Sequence, residues 1–344
     1  MTQHSVVWPA EWARQDAVML TWPHRNTDWA DILQAAEDNF RQLLVRIARH
    51  EPVIVACDPA ADRAAIETLA HNLPHPVYLY TVPSNDTWAR DHGPVTVLRD
   101  GRPVLLDFTF NAWGGKFDAT LDNEITRNLH QQGAFGRTPV ESLPFVLEGG
   151  GIESDGEGTL LTTSMCLLTP TRNPDFTRED IEHYLGEKLG VDRVLWLDHG
   201  YLEGDDTDSH VDTLARFCNP DTIAYVQCTD PDDPHYDALR AMEAQLQSFT
   251  RRDGNPYTLI PLPMPQACYS EDGHRLPATY ANFLIINDAV LVPTYGVPED
   301  RVALERLAEA FPGRAIEAVN CRTLIEQHGS LHCVTMQIPE GVLS

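Results

Sequence analysis

A cysteine and a histidine that lie far apart in the sequence are the first residues that could carry out covalent chemistry. Cys333 follows a glycine turn and opens a partly β-branched run, so we expect it early on a strand. On such a strand the neighbouring His332 points to the opposite face and is a poor base for the thiol. His210 and Asp212 share one face if their segment is also a strand. A cysteine with a sequence-distant histidine and carboxylates predicts nucleophilic thiol chemistry.

Carboxylates in two other loops indicate what that thiol could act on. Segment 85–94 holds Asp86 and Asp91 between two apolar runs. Glu148 ends another apolar run, before three glycines that let the backbone approach a neighbour closely. By itself, each loop could equally be an ordinary solvated turn. A guanidinium stays protonated because its pKa exceeds about 12, and its forked N–H groups suit carboxylates. Several acids around one thiol therefore favour a guanidine substrate.

The elements that must position these loops follow one another in a recurring order. Two short apolar strands, an amphipathic helix and a third strand recur roughly every 50 to 60 residues. A doubly wound sheet would alternate single strands with single helices, so this order favours five ββαβ units arranged radially around one centre. No Ser/Gly-rich linker divides the chain, and we predict an α/β fold with a single domain over 1–344. The helices are predicted over 29–47, 119–132, 177–189, 235–250 and 299–310, and the main strands over 17–20, 52–56, 104–108, 145–147, 160–163, 194–197, 223–226, 258–261, 283–286, 289–292 and 315–319.

The composition narrows the classes of partner. With 51 acidic and 25 basic residues the formal net charge is −26, which argues against nucleic acid and favours a small cation. Apolar runs such as 283–286 and 289–292 fall far short of the roughly 18 residues that span a bilayer, so no membrane partner is expected. The first nine residues lack the basic and apolar regions of a signal peptide, and the seven cysteines have no paired spacing. We therefore expect reduced thiols in a cytoplasmic protein.

Six motifs, in the same order and spanning nearly the whole chain, resemble those of the agmatine deiminase family. That family belongs to the guanidine-modifying superfamily, whose five-bladed α/β-propeller is called the pentein fold. The resemblance implies hydrolytic deimination of agmatine to N-carbamoylputrescine and ammonia, with no metal or cofactor, in polyamine and putrescine biosynthesis. The motifs are Asp86-Thr87-Trp88-Ala89-Arg90-Asp91-His92-Gly93-Pro94, Phe110-Asn111-Ala112-Trp113-Gly114-Gly115, Glu148-Gly149-Gly150, His210-Val211-Asp212, Tyr280-Ala281-Asn282-Phe283 and His332-Cys333.

The resemblance also implies a role for single positions. Cys333 matches the nucleophile that forms a covalent amidino-thioether, and His210 matches the general acid and base. The other matches are Asp91 and Asp212, which hold the guanidinium nitrogens, Glu148, which binds substrate or orients the histidine, and Trp88, Trp113 and Asp86, which line the substrate pocket. From residue type alone, the two tryptophans could equally be core residues and Asp86 a turn cap.

Two positions depart from the usual pattern of that family. The chain has His328-Gly329-Ser330-Leu331 before the His-Cys pair, where the family more often has glycines and Asn-Ile. It also has Ser209 where the family more often has glycine. These differences bear on the shape of the thiol loop, and hence on substrate preference more than on the type of reaction.

Three other functions stay open at this stage. The same thiol chemistry could act on arginine or peptidylarginine or transfer an amidino group, although we find no evident arginine to bind a substrate carboxylate. A propeller could bind a macromolecule without catalysis, and homo-oligomers stay open as well. A divalent-metal hydrolase is a further alternative if four residues alternate on one strand face, namely Asp206, Asp208, His210 and Asp212.

Overall fold

Small mixed sheets make up most of the structure. The computed structural model describes residues 5–344. Residues 1–4 belong to the N-terminal stretch in which no signal peptide is expected, and they lie outside the described residues. Within residues 5–344, no helix is both long and apolar enough to cross a membrane.

Short strands and short helices follow one another along residues 5–344. The strands are β1 (Val6–Val7), β2 (Gln15–Thr21), β3 (Val53–Cys57), β4 (Val77–Thr81), β5 (Val95–Arg99), β6 (Arg102–Thr109), β7 (Val140–Val146), β8 (Ile152–Ser154), β9 (Thr159–Thr163), β10 (Arg193–Leu197), β11 (Ala215–Asn219), β12 (Thr222–Gln227), β13 (Thr258–Pro263), β14 (Cys268–Tyr269), β15 (Arg275–Leu276), β16 (Leu284–Ile285), β17 (Ala289–Thr294), β18 (Ala315–Asn320) and β19 (Thr335–Pro339). The helices are α1 (Leu33–Ile47), α2 (Arg63–Ala70), α3 (Ala89–His92), α4 (Ala112–Gly115), α5 (Ile125–Gln131), α6 (Ser164–Leu167), α7 (Arg178–Leu189), α8 (Tyr236–Ser248) and α9 (Glu299–Ala310).

Five sheets repeat one arrangement of strands. In each, an antiparallel pair is followed by a helical crossover to a third strand that is parallel to the second. These three-strand sets are β5-β6-β7, β8-β9-β10, β11-β12-β13, β16-β17-β18 and β19-β2-β3. Their longest crossover helices are α5, α7, α8, α9 and α1. The order of elements predicted from the sequence is therefore present in five sheets. Strands β1 and β4 extend two of them, and β14 pairs with β15 separately.

Local sequence explains where α7 begins and ends. Thr177 and Asp180 form a capping box, in which each side chain accepts a hydrogen bond from the backbone N–H of the other. Gly190 follows the helix at φ 74°, a left-handed conformation that glycine adopts freely. Between these ends, Ile181 and Leu185 belong to the buried apolar stripe that the sequence periodicity predicts.

The hydrophobic core lies between the sheets and the helices around them. Every residue of β3 and of β9 is buried. Trp22 and Phe40 are also buried, and their rings meet edge to face with centroids 5.8 Å apart. Close packing of this kind holds the strand ends firmly, and the loops that leave those ends are held with them.

Three elements differ from the sequence predictions. The predicted helix over 119–132 is a 3-10 turn at Asp122–Glu124 followed by α5. The strand predicted over 145–147 is the end of the longer β7, whose first half carries the polar residues Glu141 and Ser142 and so lacks an apolar pattern. The sequence does not predict α2, because Ile66 is the one buried residue of that helix and no apolar stripe marks it.

Candidate active site

The connections between successive sheets carry the candidate catalytic side chains. The sequence-predicted residues lie on these connections rather than within the strands, except Trp113, which lies on α4 in the crossover from β6 to β7 of one sheet. Each of the five connections contributes, with Asp91 between β4 and β5, Glu148 between β7 and β8, His210 and Asp212 between β10 and β11, Asn282 before β16, and Cys333 between β18 and β19.

The thiol of Cys333 is buried and faces two oxygen acceptors. Its Sγ lies 3.4 Å from Asn282 Oδ1 and 3.7 Å from Asp212 Oδ2. Burial, together with the negative charges of Asp212 and Asp91, raises the pKa of this thiol well above its ordinary value. The thiol is therefore protonated at neutral pH in the protein alone.

Cys333 lies in a turn, so the prediction of an early strand position is wrong. Strand β19 begins two residues later at Thr335. Asn282 Oδ1 accepts the backbone N–H of His332 at 2.8 Å and that of Cys333 at 3.3 Å, and this amide shapes the turn. The His332 ring contacts the thiol's neighbour and not the thiol itself, with Nδ1 2.8 Å from Asp212 Oδ2 and Nε2 2.8 Å from Glu11 Oε1.

His210 is fully buried between two carboxylates. Its Nδ1 lies 3.7 Å from Asp91 Oδ1, and its Nε2 lies 3.9 Å from Glu148 Oε2. Neither ring nitrogen has a hydrogen-bond partner among the described residues. Burial lowers the pKa of His210 to about 3, although the charge of Asp212 opposes this. The imidazole is therefore neutral and can accept a proton.

The segment around His210 is a turn and not a strand, which corrects a second prediction. Residues Val211–Thr213 form a 3-10 turn. The two residues before His210 have left-handed backbones, with φ 65° at Asp208 and 62° at Ser209. His210 and Asp212 still reach the same site, since a Cβ on Gly150 would lie 2.6 Å from His210 Nδ1 and 3.1 Å from Asp212 Oδ2. The strand face on which the metal-hydrolase alternative depends does not form.

Asp91 is held by two N–H donors and has no cationic side chain beside it in residues 5–344. Trp113 Nε1–H donates to its Oδ2 at 2.9 Å, and the Gly150 backbone N–H donates to its Oδ1 at 3.0 Å. Burial and the negative charges of Asp212 and Glu148 raise the pKa of Asp91 well above its ordinary value. Asp91 would therefore be stabilised as an anion by a cation placed next to it.

Asp212 is the opposite case, because it is already stabilised as an anion. Burial favours its neutral form, but the influences that lower its pKa, which include the hydrogen bond from His332 and the charge of Arg216, outweigh burial. Its Oδ2 accepts from His332, while its Oδ1 has no hydrogen-bond partner in the described part of the chain. Asp212 Oδ1 is thus a buried acceptor that receives no hydrogen bond from the described residues.

A pocket of about 300 Å³ opens above Cys333. The three residues predicted to line a substrate pocket, Trp88, Trp113 and Asp86, all contribute to its wall. Six aspartates line it, and none of its lining residues in the described structure is Lys or Arg, the aspartates being Asp28, Asp86, Asp91, Asp118, Asp122 and Asp206. Burial raises the pKa values of Asp86 and Asp122 to about 7. The pocket is thus shaped and charged for a small cation.

Two glycines are required by close approach to the site. A Cβ on Gly150 would lie 2.6 Å from His210 Nδ1 and 2.9 Å from Asp91 Oδ1. A Cβ on Gly329 would lie 2.1 Å from the Trp88 ring. The glycines after Glu148 and before Cys333 therefore let backbone pass directly against the functional side chains, as expected for the first of these loops.

Sequence reasoning missed three residues that contact the site. Asn282 holds the thiol turn, His332 binds Asp212, and Arg172 donates to both oxygens of Glu148 at 2.9 and 2.8 Å. Asn282 and His332 fall inside quoted motifs, but an amide or imidazole next to apolar residues does not reveal its partner. Arg172 lies in a polar stretch without periodicity, and the sequence offers no signal for it.

Two sets of three side chains within residues 5–344 have the donor types for a metal ion, namely Glu148, Cys166 and His210, and Glu11, Glu153 and His332. In the first set both Glu148 oxygens accept from Arg172. In the second set both carboxylates contact Arg216. An arginine thus already supplies the positive charge in each set, and neither set is arranged for a divalent cation.

Comparison with known proteins identifies the family. Residues 7–339 match the model of the Porphyromonas-type peptidyl-arginine deiminase family. A Shewanella frigidimarina protein provisionally named an agmatine deiminase is 37% identical, over 97% of this chain and 94% of that protein. A structure of C. jejuni agmatine deiminase with substrate bound is 35% identical with a TM-score of 0.92, over 99% of this chain and 98% of that chain. A Porphyromonas gingivalis structure provisionally described as an arginine deiminase is 54% identical with a TM-score of 0.93, over 98% of this chain and 99% of that chain.

These similarities confirm the resemblance noted in the sequence. The α/β fold matches that of the agmatine deiminase structures, which have the pentein fold. The matches cover nearly the full length of both partners, so they concern the whole domain and not one motif. This chain belongs to the Porphyromonas-type peptidyl-arginine deiminase family.

Proposed function

We propose that this protein hydrolyses agmatine to N-carbamoylputrescine and ammonia through a covalent intermediate on Cys333. The observation that carries the proposal is the charge of the pocket above the thiol. Six aspartates line it, and its lining among the described residues includes no Lys or Arg. Such a wall suits a substrate with positive charge at both ends, and agmatine joins a guanidinium to an ammonium through an alkyl chain.

Asp91 and Asp212 hold the guanidinium in this proposal. Both are buried, and Asp212 Oδ1 has no hydrogen-bond partner in the described part of the chain. A guanidinium has only N–H donors, so these carboxylate oxygens are suitable acceptors. Its charge would also offset the repulsion that raises the pKa of Asp91. Trp88 and Trp113 provide aromatic walls beside the planar cation.

The ammonium end of agmatine meets Asp86 and Asp122 in this proposal. Burial raises the pKa values of both carboxyls to about 7, so a neighbouring cation would keep them ionised at neutral pH. The carboxylate of free arginine would be repelled by these acids. This difference favours agmatine over arginine.

The first half-reaction begins with the thiol proton of Cys333. Burial and two acids raise the pKa of the thiol, and a bound guanidinium offsets those acids, so substrate binding favours the thiolate. Neutral His210 takes the proton as the thiolate attacks the guanidinium carbon. His210 then gives the proton to the departing nitrogen, the C–N bond breaks, and ammonia leaves an amidino-thioether on Cys333.

The second half-reaction uses the same histidine as a base. His210 takes a proton from a water molecule that attacks the amidino carbon. The C–S bond breaks, Cys333 recovers its proton through His210, and the ureido product leaves. Glu148, whose Oε2 is 3.9 Å from His210 Nε2, stabilises the imidazolium that forms in each half-reaction.

We also propose that residues 1–344 form one cytoplasmic catalytic domain shaped as a five-bladed α/β-propeller. Two observations support this architecture. Five sheets repeat the same strand order, and every connection between successive sheets contributes a side chain to the site. No single sheet therefore carries the site by itself. The seven cysteines are free thiols, which supports a reducing compartment.

Arginine or peptidylarginine is the second candidate substrate, favoured by two comparisons. The family whose model matches is described as a peptidyl-arginine deiminase family. The Porphyromonas gingivalis relative at 54% identity is provisionally described as an arginine deiminase. The six aspartates of the pocket argue against free arginine, because they would repel its carboxylate. A blocked arginine peptide lacks that carboxylate, so the charge of the pocket does not argue against it as a substrate.

A substrate panel tests the proposal directly. Agmatine, arginine and a blocked arginine peptide are compared by kcat/KM, with both ammonia and the ureido product measured, with and without a chelator. We expect agmatine to have the largest kcat/KM and the chelator to have no effect. Faster turnover of arginine or of the peptide would contradict the substrate assignment, and loss of activity with chelator would contradict the thiol mechanism.

A further inference from the structure

Arg172 is a buried arginine that the mechanism above does not use. Its side chain is 0% exposed. Nε–H contacts both oxygens of Glu148, at 2.9 and 2.8 Å. Nη1 donates to Asp208 Oδ2 at 2.7 Å, and Nη2 donates to the Thr207 carbonyl at 2.8 Å. One guanidinium thus joins Glu148 to the segment that comes immediately before His210.

That segment has a conformation that needs support from outside. Asp208 and Ser209 lie at φ 65° and 62°, in the left-handed region that is unfavourable for residues with a Cβ. Two such residues in succession persist only where surrounding contacts hold them. Arg172 supplies two of those contacts, and the Asp205 carboxylate supplies another by accepting the Ser209 N–H at 2.7 Å.

The orientation of His210 depends on this segment because its ring has no anchor of its own. Neither ring nitrogen makes a hydrogen bond within the described residues. The backbone N–H of His210 donates to Thr207 Oγ1 at 3.1 Å, so the position of His210 follows that of Thr207. Glu148, the carboxylate nearest to Nε2, is held by the same guanidinium that holds Thr207.

We propose that Arg172 is a positioning residue for the acid-base step: it places Glu148 beside the imidazole and holds the strained turn at 207–209 so that His210 faces the reacting carbon. The proposal rests on the deimination function proposed above, because it concerns the proton transfers of that reaction. Arg172 touches neither substrate nor thiol in this scheme.

The charge of Arg172 also sets the ionisation of Glu148. Burial raises the pKa of this carboxyl, and the positive charge of Arg172 is the largest opposing influence. Without the guanidinium, Glu148 would stay neutral up to a higher pH. The acidic limb of the kcat profile would then move to higher pH. The other charged or titratable groups that face Glu148 are His210, Asp208, Asp91 and Cys166.

Arg172→Lys tests the proposal, because an ammonium keeps the charge but cannot bond Glu148, Asp208 and the Thr207 carbonyl at once. We expect kcat for agmatine to fall by about 10²-fold, as for a small misplacement of a catalytic group, with a smaller change in KM. We also expect the acidic limb of the kcat profile to move to higher pH, because the hydrogen bonds of the guanidinium to Glu148 lower the pKa of this carboxyl as well, and one ammonium cannot replace them all. A defect in folding alone would lower the melting temperature without moving that limb.

Two further variants make the test specific. Lys116→Met removes the other cation that contacts Asp208, at 3.0 Å. Because the two side chains are 37% and 30% exposed, water screens this pair, and its loss should leave kcat within about fivefold of wild type. Adding Ser209→Gly to Arg172→Lys removes the cost of one left-handed residue, so we expect it to restore about fivefold or more of the lost kcat. A double variant no faster than Arg172→Lys would contradict the role of the strained turn.

The outcomes separate this proposal from the proposed function. If the wild-type protein turns over agmatine and folded Arg172→Lys has the same kcat and pH profile as wild type, the role of Arg172 is overturned. The deiminase function is then unaffected. A wild-type protein that releases no ammonia from agmatine overturns both. If Arg172→Lys does not fold, Asp208→Asn removes the charge of one anchor while tolerating the positive φ, and an unchanged kcat there overturns the proposal.

Discussion

Two groups of buried carboxylates differ in how their charge is balanced. The first group, which we call the pocket acids, lines the pocket without contact to any Lys or Arg of residues 5–344 and consists of Asp86, Asp91 and Asp122. The second, which we call the paired cluster, surrounds its acids with cationic side chains and consists of Glu11, Glu153, Arg90, Arg216 and His332.

The pKa of Glu11 moves in the opposite direction to those of the pocket acids, whereas burial of Glu153 outweighs the charge of Arg216 and raises its pKa to about 8. Burial raises the pKa values of Asp86 and Asp122 to about 7, and no cation opposes it. Burial acts on Glu11 as well, but Arg216, His332 and Arg90 outweigh it and lower its pKa well below the ordinary value. Acids whose charge is balanced within the protein support the fold, whereas acids left unbalanced are stabilised as anions when a cation binds. The comparison therefore separates acids that already face a cation of the protein from acids that a bound cation would stabilise.

The largest effect expected from any single change concerns the thiol between these groups. Cys333→Ala removes the proposed nucleophile and should lower kcat by on the order of 10⁴- to 10⁶-fold. Agmatine binding by calorimetry should persist, because the pocket acids are unchanged. Cys228→Ala, a buried cysteine outside the site, is the matched control and should retain activity. Activity above a few per cent in Cys333→Ala would exclude Cys333 as the nucleophile.

Breaking the paired cluster should mainly affect stability. Arg216 is fully buried, and Arg216→Met leaves Glu11 and Glu153 without this partner. Loss of one partner from a buried ion pair costs about 3–5 kcal/mol, measured as the free energy of unfolding in denaturant. We expect kcat/KM per folded molecule to change less than in Asp91→Asn. An equal or larger loss of kcat/KM would show that the paired cluster belongs to the active site.

Breaking the pocket acids should mainly affect catalysis. Asp91→Asn removes a charge and presents an NH₂ group to a guanidinium that has only donors. Loss of a charge-assisted hydrogen bond costs about 1.5–3 kcal/mol, or roughly 10- to 150-fold in kcat/KM for agmatine. Asp212→Asn should lower kcat/KM by a similar factor. Asp86→Asn should act mainly by raising KM, with a smaller decrease in kcat. Unchanged kcat/KM in all three variants would contradict the guanidinium assignment.

The pocket acids also predict how ligand stabilisation depends on pH. Their raised pKa values mean that the folded protein holds protons more tightly than the unfolded chain, so these groups reduce stability as pH rises from about 4 to about 7. A bound dication favours their ionised forms and reverses this loss. Agmatine should therefore raise the melting temperature of Cys333→Ala more at pH 8 than at pH 6. This account would be refuted if agmatine raised the melting temperature equally at both pH values. It would also be refuted if Asp86→Asn did not reduce the difference between the increases at pH 8 and pH 6.

The smallest expected effect concerns backbone strain beside the site. Ser209 has φ 62°, and glycine adopts this conformation without the cost that a Cβ adds. Ser209→Gly should therefore raise the free energy of unfolding by about 0.5–1 kcal/mol, after the greater chain entropy of glycine is subtracted. Ser154→Gly is a control at a buried serine in strand β8, where glycine should destabilise instead. A destabilising Ser209→Gly would mean that the serine side chain contributes more than its backbone costs.

The types and the order of residues in the sequence predicted which side chains lie together in the candidate site. They did not predict the backbone conformation of the segments that carry those side chains. Asp91, Glu148, His210, Asp212 and Cys333 do converge, because each lies on a connection between sheets, and the apolar runs of the sequence predicted the order of the strands in those sheets. The strand predicted at 210–212 is a turn because the distant Arg172 and the nearby Asp205 hold the residues before it. No local pattern encodes the Arg172 contacts, since Arg172 lies 36 residues from Asp208.

The pairing of β19 with β2 has a consequence for protein synthesis. Thr335 pairs with Leu20 and Pro339 with Gln15, so the strand that follows the reactive thiol completes the first large sheet of the chain. A ribosome must therefore deliver almost every other element before this sheet can close, and contacts between such distant segments form slowly. During that interval Asp212 and Asn282 are not yet paired with the turn that carries Cys333. The contacts of Cys333 with Asp212 and Asn282 therefore form among the last of the fold, after nearly the whole chain has been synthesised.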